Sequence, residues 1–441
     1  MNKKLTWLWI LLGIGYKLQI VSSLSVTEVV ILIVTPFTVF KSFSKMRRDG
    51  VLFFFVLSLL VVLGCIIASI CNHSSHEAVV RGLAVTCLIS CSILVSYWML
   101  QRDPAGFKWF VLFSALSMIL STFIFKQSVE VSMYGASTEE MMGGPIFWIK
   151  RLGGVIMAPI IGWYLRMPMV YIVLAPIFMA GFSILTSISG RGAMVRFLIF
   201  AGIALIGGKR QWTMSRLSRY FWRLCFAGII LSWAIYFGYK KAAGSGWLGE
   251  ASRTKYEVQS QGGGGLGRLI MGGRGNSFIG LLACRDKPII GWGPWALDQN
   301  GYAEEFITRF GTQEDLYNLA SDRAWRIRTG NASSLRMLEC HAYITEFWAW
   351  YGIFGLIFIL YILFALVRYL KQDVAAVPQW YAWLTCSIPT IFWDVFFSPF
   401  SDRFGVSLFV VACLMARAVR KGTYKLPIEM IQEIERVERK Y

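Results

Sequence analysis

Long apolar segments separated by short polar turns dominate this sequence. A helix that crosses a bilayer needs roughly 17 to 25 mostly apolar residues. Segments of this kind predict about twelve transmembrane helices, over residues 5–19, 24–40, 51–71, 79–100, 107–125, 146–165, 167–188, 193–207, 220–239, 347–367, 380–397 and 405–418. The predicted fold class is therefore an all-α polytopic membrane protein.

The basic residues provide a test of this topology, because the cytoplasmic loops of membrane proteins collect Lys and Arg. With the first helix starting inside, the turns predicted to be cytoplasmic hold the main basic clusters: Lys41, Lys45, Arg47, Arg48, Arg102, Lys108, Arg166, Lys209, Arg210, Arg216, Arg219, Arg368, Lys371, Arg417, Arg420, Lys421 and Lys425. The short turns on the other side carry almost none. Both termini are therefore predicted to face the cytoplasm.

One predicted connection, residues 240–346, is far longer than the others. Loops beyond about fifteen residues in compact proteins are usually functional or disordered. Gly262 to Gly265 is a flexible tetraglycine, whereas residues 288–295 form a rigid, aromatic Pro-Ile-Ile-Gly-Trp-Gly-Pro-Trp stretch. We predict helices one to nine over 1–239, a helical cap domain on the outer face over 240–346, helices ten to twelve over 347–420 and a charged cytoplasmic C-terminal helix over 421–441.

Composition agrees with a membrane protein. The chain of 441 residues is 56% hydrophobic and only 16% charged, whereas a soluble domain needs about 25% charged residues. The net charge of +19 lies in clusters between apolar runs, so we attribute it to topology and predict a lipid bilayer, and no nucleic acid, as partner. The basic start before the apolar run from Leu5 fits a signal peptide or a retained first helix, and the lack of a cleavage site favours the helix.

Cysteine and histidine positions give no metal-binding pattern. Most of the nine Cys lie in apolar runs, where a thiol behaves as a small hydrophobe. Cys284 and Cys340 share the long loop, so a disulfide and two free thiols both stay open. His73 and His76 could bind a metal together with Cys71, but a solvated turn is the favoured interpretation. We therefore predict no metal site.

Basic side chains at the outer face are the candidates for chemistry. An enzyme acting there, away from cytoplasmic nucleotides, needs a substrate that carries its own leaving group, as lipid-linked pyrophosphate sugars do. Arginine suits a pyrophosphate because its planar group donates in pairs to phosphate oxygens. Arg191 lies between two glycines at the mouth of the eighth predicted helix, and Arg274 lies in a Gly-rich part of the long loop. An interfacial Arg reaching to water and an ordinary surface Arg are the respective alternatives.

Four further basic residues, Arg81, Lys150, Arg151 and Arg196, lie at or inside the outer edges of predicted spans. Ionisable residues in spans usually face the bundle interior and serve function, so we predict that these four bind substrate. For Lys150 and Arg151, reaching to the membrane surface is the alternative.

His341, just before the tenth predicted helix, is the candidate general base. A sugar hydroxyl is a poor nucleophile until its proton is taken, and histidine titrates in the right range to take it. An interfacial histidine bonded to the backbone is the alternative. Tyr343 in the same segment is a candidate substrate-binding residue, and Asp298, Glu339, Glu346 and Asp394 could orient the base. The chain has no paired-carboxylate, P-loop or Gly-x-Ser-x-Gly motif, so we predict a metal-independent reaction without a cofactor.

Three motifs in this order resemble the O-antigen ligase and O-antigen polymerase superfamily. They are an Arg turn that opens a helix (Ser189 to Gly192), a loop element from Gly273-Arg274 to Pro288-Ile-Ile-Gly-Trp-Gly-Pro294, and His341 followed by Tyr351-Gly-Ile-Phe-Gly355. The similarity covers roughly residues 185–360. The sequence departs from the pattern at Gly190, Phe278 and Ala342, where the family usually has other residues.

The resemblance implies a membrane-embedded type C glycosyltransferase in the bacterial inner membrane, with its active site facing the periplasm. It implies that Arg191 and Arg274 hold the pyrophosphate of an undecaprenyl pyrophosphate-linked glycan and that His341 activates the acceptor hydroxyl. A ligase would use lipid A core as acceptor, whereas a polymerase would use another lipid-linked repeat. The helix number and the single dominant loop resemble the ligase more.

Two alternatives stay open beside the ligase. A polymerase, or a protein O-oligosaccharyltransferase, is a relative with the same donor chemistry. A membrane transporter is an alternative of another class, since transporters share this helix number. Transporters place charges near the bilayer midplane in two repeated halves, whereas here the unusual charges gather at one face.

Overall fold

The protein is helical throughout most of the part that a computed structural model describes. That part comprises residues 17–19, 23–106, 237–238, 241–242, 245, 247, 275–310, 338, 340, 342–370, 384, 388, 391–392, 394–396, 400, 403–428 and 431–432. Its elements are β1 (Lys17–Gln19), β2 (Ser23–Ser25), α1 (Val26–Asp49), α2 (Leu52–Cys71), α3 (His76–Arg102), a 3-10 turn (Pro104–Gly106), α4 (Gly275–Asp286), α5 (Tyr302–Phe310), α6 (Tyr343–Leu370) and α7 (Arg403–Arg420). The predicted helical class is confirmed for these residues.

Three of the described helices are long and apolar enough to cross a membrane: Leu52–Cys71, His76–Arg102 and Tyr343–Tyr369. A fourth span results if the two parts of α1, Val26–Thr38 and Phe43–Asp49, which meet at 98°, count as one. They match the predicted third, fourth, tenth and second spans. Predicted spans 107–125, 146–165, 167–188, 193–207 and nearly all of 220–239 lie outside the described residues.

The first predicted span is wrong at its end. Residues 17–19 form strand β1 instead of helix, and they pair antiparallel with β2 so that Leu18 lies opposite Leu24. Polar Lys17 and Gln19 flank Leu18, an alternation that is typical of a strand. The second helix therefore begins at Val26, two residues later than predicted, and extends to Asp49.

Helix α2 lies between α3 and α6, while α3 also packs against α1 and α7. Aromatic rings hold α2 to α6: Phe54 stacks on Phe358 with ring centroids 5.4 Å apart. Ser58 and Ser90 share a buried hydrogen bond of 2.8 Å between α2 and α3. The residues of α7 from Phe404 to Ala416 are all buried, so α7 is covered on every side by the rest of the protein.

The side chains at the helix ends define the two ends of the bundle. At one end, Tyr97 near the end of α3 donates a 2.7 Å hydrogen bond to Asp49 at the end of α1. At the other end, Arg403 at the start of α7 pairs with Glu28 at the start of α1. The ends of α1 and α3 therefore meet at one end of the bundle and the starts of α1 and α7 meet at the other, which fits the common direction predicted for these three helices. We call the first the basic end, because Arg47, Arg48, Arg102, Arg420 and Lys421 lie there, and the second the loop end.

Apolar side chains also cover one outer surface of the bundle. On α2, the exposed residues Phe53, Val56, Leu59, Leu63, Ile66 and Ile70 recur at helical spacing, and Ile357, Leu360 and Phe364 are exposed on α6. Large exposed apolar surfaces in a helical protein mark contact with lipid or a partner. Together with the length of the helices, these surfaces indicate a membrane protein.

Candidate functional site

The structure describes two of the eight predicted site residues. Arg81 on α3 pairs with Glu77 one turn earlier, at the loop end. Tyr343 begins α6 and is 2% exposed, with its ring edge against Phe400 at 4.7 Å. The other six lie outside the described residues: Lys150, Arg151, Arg191, Arg196, Arg274 and His341.

Helix α6 is broken at Gly352, within the predicted Gly-x-x-Gly motif that follows His341. Gly352 has φ 62° and ψ −144°, a combination that is accessible essentially only to glycine. A Cβ atom at this position would lie 2.0 Å from the carbonyl oxygen of Ile289. The break therefore depends on glycine for both its conformation and the close approach of another segment.

The aromatic segment Pro288 to Trp295, which we call the plug loop, fills the break in α6. The backbone amide of Trp292 donates to the carbonyl of Ala349 at 2.6 Å, and that of Gly293 donates to Trp350 at 3.1 Å. In return, the amide of Ile353 donates to the carbonyl of Ile289 at 2.9 Å. These bonds satisfy groups that a broken helix would leave without a partner. Two motifs that lie far apart in the sequence thus form one structural unit.

Side-chain hydrogen bonds and a cation–π contact join the plug loop to its neighbours. Asn72 at the end of α2 donates to the carbonyl of Gly291 at 3.0 Å and accepts from Lys287. The Lys287 ammonium lies 3.8 Å from the centre of the Trp292 ring, and the Trp292 indole donates to Ala283 at 2.9 Å. These contacts fix the plug loop to the end of α2 and to α4.

Chain segments next to Arg274 and His341 pack against each other. Helix α4 begins at Gly275, directly after Arg274, and a Cβ on its Gly280 would lie 2.8 Å from the sulfur of Cys340. Cys340 immediately precedes His341 in the sequence. The amide of Leu338 also donates to the carbonyl of Ala296 at 2.8 Å, next to the plug loop. The fold thus brings α4, the plug loop and the start of α6 together at the loop end.

Cys284 and Cys340 are both buried, free thiols. Of the two possibilities left open by the sequence, the structure therefore has the unpaired one. The Cys284 sulfur lies 3.9 Å from the carbonyl of Thr345, and burial raises the pKa of its thiol to about 12. A thiol with so high a pKa is unreactive at neutral pH, so Cys284 is a packing residue.

A buried charge cluster at the loop end was not found by reasoning from the sequence. The Arg403 guanidinium lies 2.6 Å from the Glu28 carboxylate, and both side chains are largely buried. The Glu346 carboxylate, in the first turn of α6, accepts from the backbone amide of Phe400 at 3.0 Å. Glu346 is one of the residues that the sequence offered to orient the base, whereas Glu28 and Arg403 were not predicted. The sequence did hold a signal for Arg403, because it lies at the predicted outer end of a span. Arg191 was chosen as a candidate for the same reason.

Replacing Arg403 with Met is expected to destabilise the protein by about 3–5 kcal/mol, because Glu28 would keep a buried charge without its partner. The Glu28→Gln/Arg403→Met double variant should recover part of this loss, since it removes both charges. Titration with a denaturing detergent in mixed micelles would give the free energies of unfolding. A loss below about 1 kcal/mol in the single variant would mean that the pair is solvated.

Among the described residues, no group of three or more His, Cys, Asp or Glu side chains could hold a metal ion. His73 is exposed in the turn between α2 and α3, as the favoured interpretation expected, and His76 is exposed as the first residue of α3. Exposed acidic and basic groups instead pair on α4 and α5. The Tyr302 hydroxyl donates to Asp286 at 2.7 Å and, with Arg285, holds the pKa of that carboxyl below its usual range.

Comparison of the chain with family models, with curated proteins and with solved structures finds no match.

Proposed function

We propose that this protein is a glycosyltransferase that moves a glycan from undecaprenyl pyrophosphate to an acceptor hydroxyl, with lipid A core as the acceptor of an O-antigen ligase. The reaction takes place at the periplasmic face of the bacterial inner membrane. Long apolar helices support the membrane location, and the motif pattern around Arg191, Arg274 and His341 supports the chemistry.

The close approach of Gly280 to Cys340 is the main structural support for this proposal. Gly280 lies on the helix that follows Arg274, and Cys340 is joined to His341. An α-helix rises about 1.5 Å per residue, so the start of α4 lies within about 10 Å of Gly280 along its axis. Arginine and histidine side chains extend several ångströms from the backbone. Two such side chains on neighbouring segments at this separation could therefore contact one substrate. The packing of α4 against the start of α6 therefore supports a common site for Arg274 and His341.

Each residue has a defined role in the proposed reaction. His341 takes the proton of the acceptor hydroxyl, and the hydroxyl oxygen attacks the anomeric carbon of the donor sugar. The bond to the pyrophosphate oxygen breaks on the opposite face, so the anomeric configuration inverts. The leaving pyrophosphate keeps the electron pair, and Arg191 and Arg274 stabilise its charge through paired hydrogen bonds. No metal is required in this scheme, because the two guanidinium groups supply the positive charge.

Reconstitution in proteoliposomes tests the proposal. Purified protein is supplied with an undecaprenyl pyrophosphate-linked glycan and lipid A core, and the products are separated by gel electrophoresis. Transfer of the glycan to lipid A core, unchanged by a metal chelator, is the expected result. Ladder-like extension of the lipid-linked glycan would identify a polymerase instead. Absence of both products with a correctly folded protein would contradict the proposal.

The broken helix α6 favours a transporter as the second candidate, since transporters bind substrates at the ends of discontinuous helices. At Gly352, however, the plug loop already occupies the carbonyls of Ala349 and Trp350 and the amide of Ile353. These groups are therefore not free to bind a transported ion. Uptake of labelled glycan carrier into proteoliposomes without any transfer would favour transport over the glycosyltransferase.

A further inference from the structure

The tip of the plug loop, Pro288 to Ile290, presents only apolar side chains outward. The side chains of Ile289 and Ile290 are 69% and 41% exposed. Exposed isoleucines at the tip of this loop would cost free energy in water, because apolar surface is stabilised when it is removed from water. The preceding residue, Lys287, is polar, and its ammonium donates a hydrogen bond to the side chain of Asn72.

Several backbone groups at and beside the tip of the plug loop form hydrogen bonds within the protein. The carbonyl of Pro288 accepts from the Trp348 indole at 2.8 Å, and that of Ile289 accepts from Ile353. The amide of Gly291 donates to the backbone carbonyl of Lys287 at 3.0 Å, and the carbonyl of Gly291 accepts from the side chain of Asn72. Irregular backbone at membrane depth is tolerated only where its polar groups are satisfied in this way. The four bonds named here meet that condition for the carbonyls of Pro288 and Ile289 and for both backbone groups of Gly291.

The level of the tip follows from the lengths of the helices. The part of α6 after the break, residues 353–370, spans about 27 Å, close to the roughly 30 Å of a bilayer's hydrocarbon core. The break at Gly352 therefore lies near the hydrocarbon boundary. A Cβ on Gly64, seven residues before the end of α2, would lie 2.8 Å from the carbonyl of Tyr351. The break thus lies closer to the middle of the membrane than Cys71 at the end of α2 does.

Exposed apolar side chains continue from the tip onto the helices. Ile289 bonds to Ile353 through its backbone, and Ile357 follows on the same face of α6 one turn later, 42% exposed. Ile70 at the end of α2 is 69% exposed, two residues before Asn72, which binds the plug loop. The tip thus extends the apolar surface that the helices present to lipid.

We propose that Pro288, Ile289 and Ile290 are immersed in the acyl chains of the membrane leaflet at the loop end. The loop between α4 and α5 is then a membrane-inserted element and not wholly a water-exposed part of a cap. Its binding partner is lipid hydrocarbon, whatever reaction the protein catalyses. Lys287 marks the headgroup level directly above the inserted residues.

Spin labels at positions 289 and 290 test this proposal in the full-length protein in lipid nanodiscs. Single Ile289→Cys and Ile290→Cys variants are made in a background in which Cys71, Cys87, Cys91, Cys225 and Cys386 are alanine, so that only the four buried thiols stay. Collision rates with oxygen, which concentrates in lipid, and with a water-soluble nickel complex are then compared. Labels at Leu63 and at Gln299 serve as the lipid and water controls, because both side chains are exposed.

The expected result is that labels at 289 and 290 collide with oxygen as often as the label at Leu63 does and are at least several-fold less accessible to nickel than the label at Gln299. Nickel accessibility at both tip positions equal to that at Gln299 would overturn the proposal. Monodisperse elution of every labelled variant shows that the fold is kept, and since both isoleucine side chains are exposed, the substitutions leave no cavity.

Discussion

Replacing His341 with Ala is expected to slow glycan transfer by about 10²–10⁴-fold, the usual contribution of a general base. The acceptor hydroxyl would still bind but would keep its proton during attack. The initial rate of lipid A glycosylation in proteoliposomes measures the effect, with membrane insertion checked by protease protection. Unchanged activity of this variant would exclude His341 as the base.

The same assay tests the two arginines that are proposed to bind the pyrophosphate. Arg191→Ala and Arg274→Ala should each slow transfer by about 10²–10³-fold, because each removes charge from the site of the leaving group. Arg285→Ala is the matched control, since Arg285 is an exposed arginine on α4 that pairs with Asp286 and Glu305. Equal activity losses in Arg274→Ala and Arg285→Ala would mean that both variants act by disturbing the structure of α4. Arg274 would then have no specific role in binding the pyrophosphate.

Replacing Gly352 with Ala is expected to prevent stable folding. The backbone conformation alone would cost an alanine about 1–3 kcal/mol. Its Cβ would also overlap the carbonyl oxygen of Ile289. This overlap could be relieved only if the plug loop moved out of the break. That movement would expose the amides and carbonyls that now bond across the break. Because proteins are stable by only about 5–15 kcal/mol, these losses should remove most of the folded population.

Gly422 provides the matched control for this variant. It also has a positive φ, of 70°, but a Cβ there would meet no atom within 4 Å. Gly422→Ala should therefore show the conformational cost without the overlap, as a small drop in the thermal unfolding midpoint in detergent. Gly352→Ala should yield aggregated or undetectable protein in the same preparation. Similar midpoints for the two variants would contradict the proposed seating of the plug loop.

Helix positions could be predicted where apolar runs are long and uninterrupted. The predicted span 51–71 differs from α2 by one residue, because Gly50 and Asn72 end the apolar run on both sides. Prediction was less accurate where polar residues enter a helix. Helix α6 starts four residues before the predicted 347, since Glu346 lies in its first turn and is buried against Phe400 instead of facing water.

The sequence also identified the segments that form the loop end, but not how they fit together. Residues 288–294 and 351–355 were recognised as motifs through their resemblance to a family, and the structure joins them through Gly352 and Ile289. A glycine in an apolar run gives no sign of which distant carbonyl will approach it. The break in α6 was therefore not predictable from local sequence.

By itself, the sequence determined the membrane class and the positions of the long apolar helices that the structure describes, because these follow from composition and local spacing. Only the tertiary structure decided that the plug loop enters α6, that Arg403 pairs with Glu28, and that Cys284 and Cys340 are free thiols. Each of these depends on contacts between residues far apart in the chain. Such contacts arise from packing of whole helices, which leaves no periodic signal in the sequence.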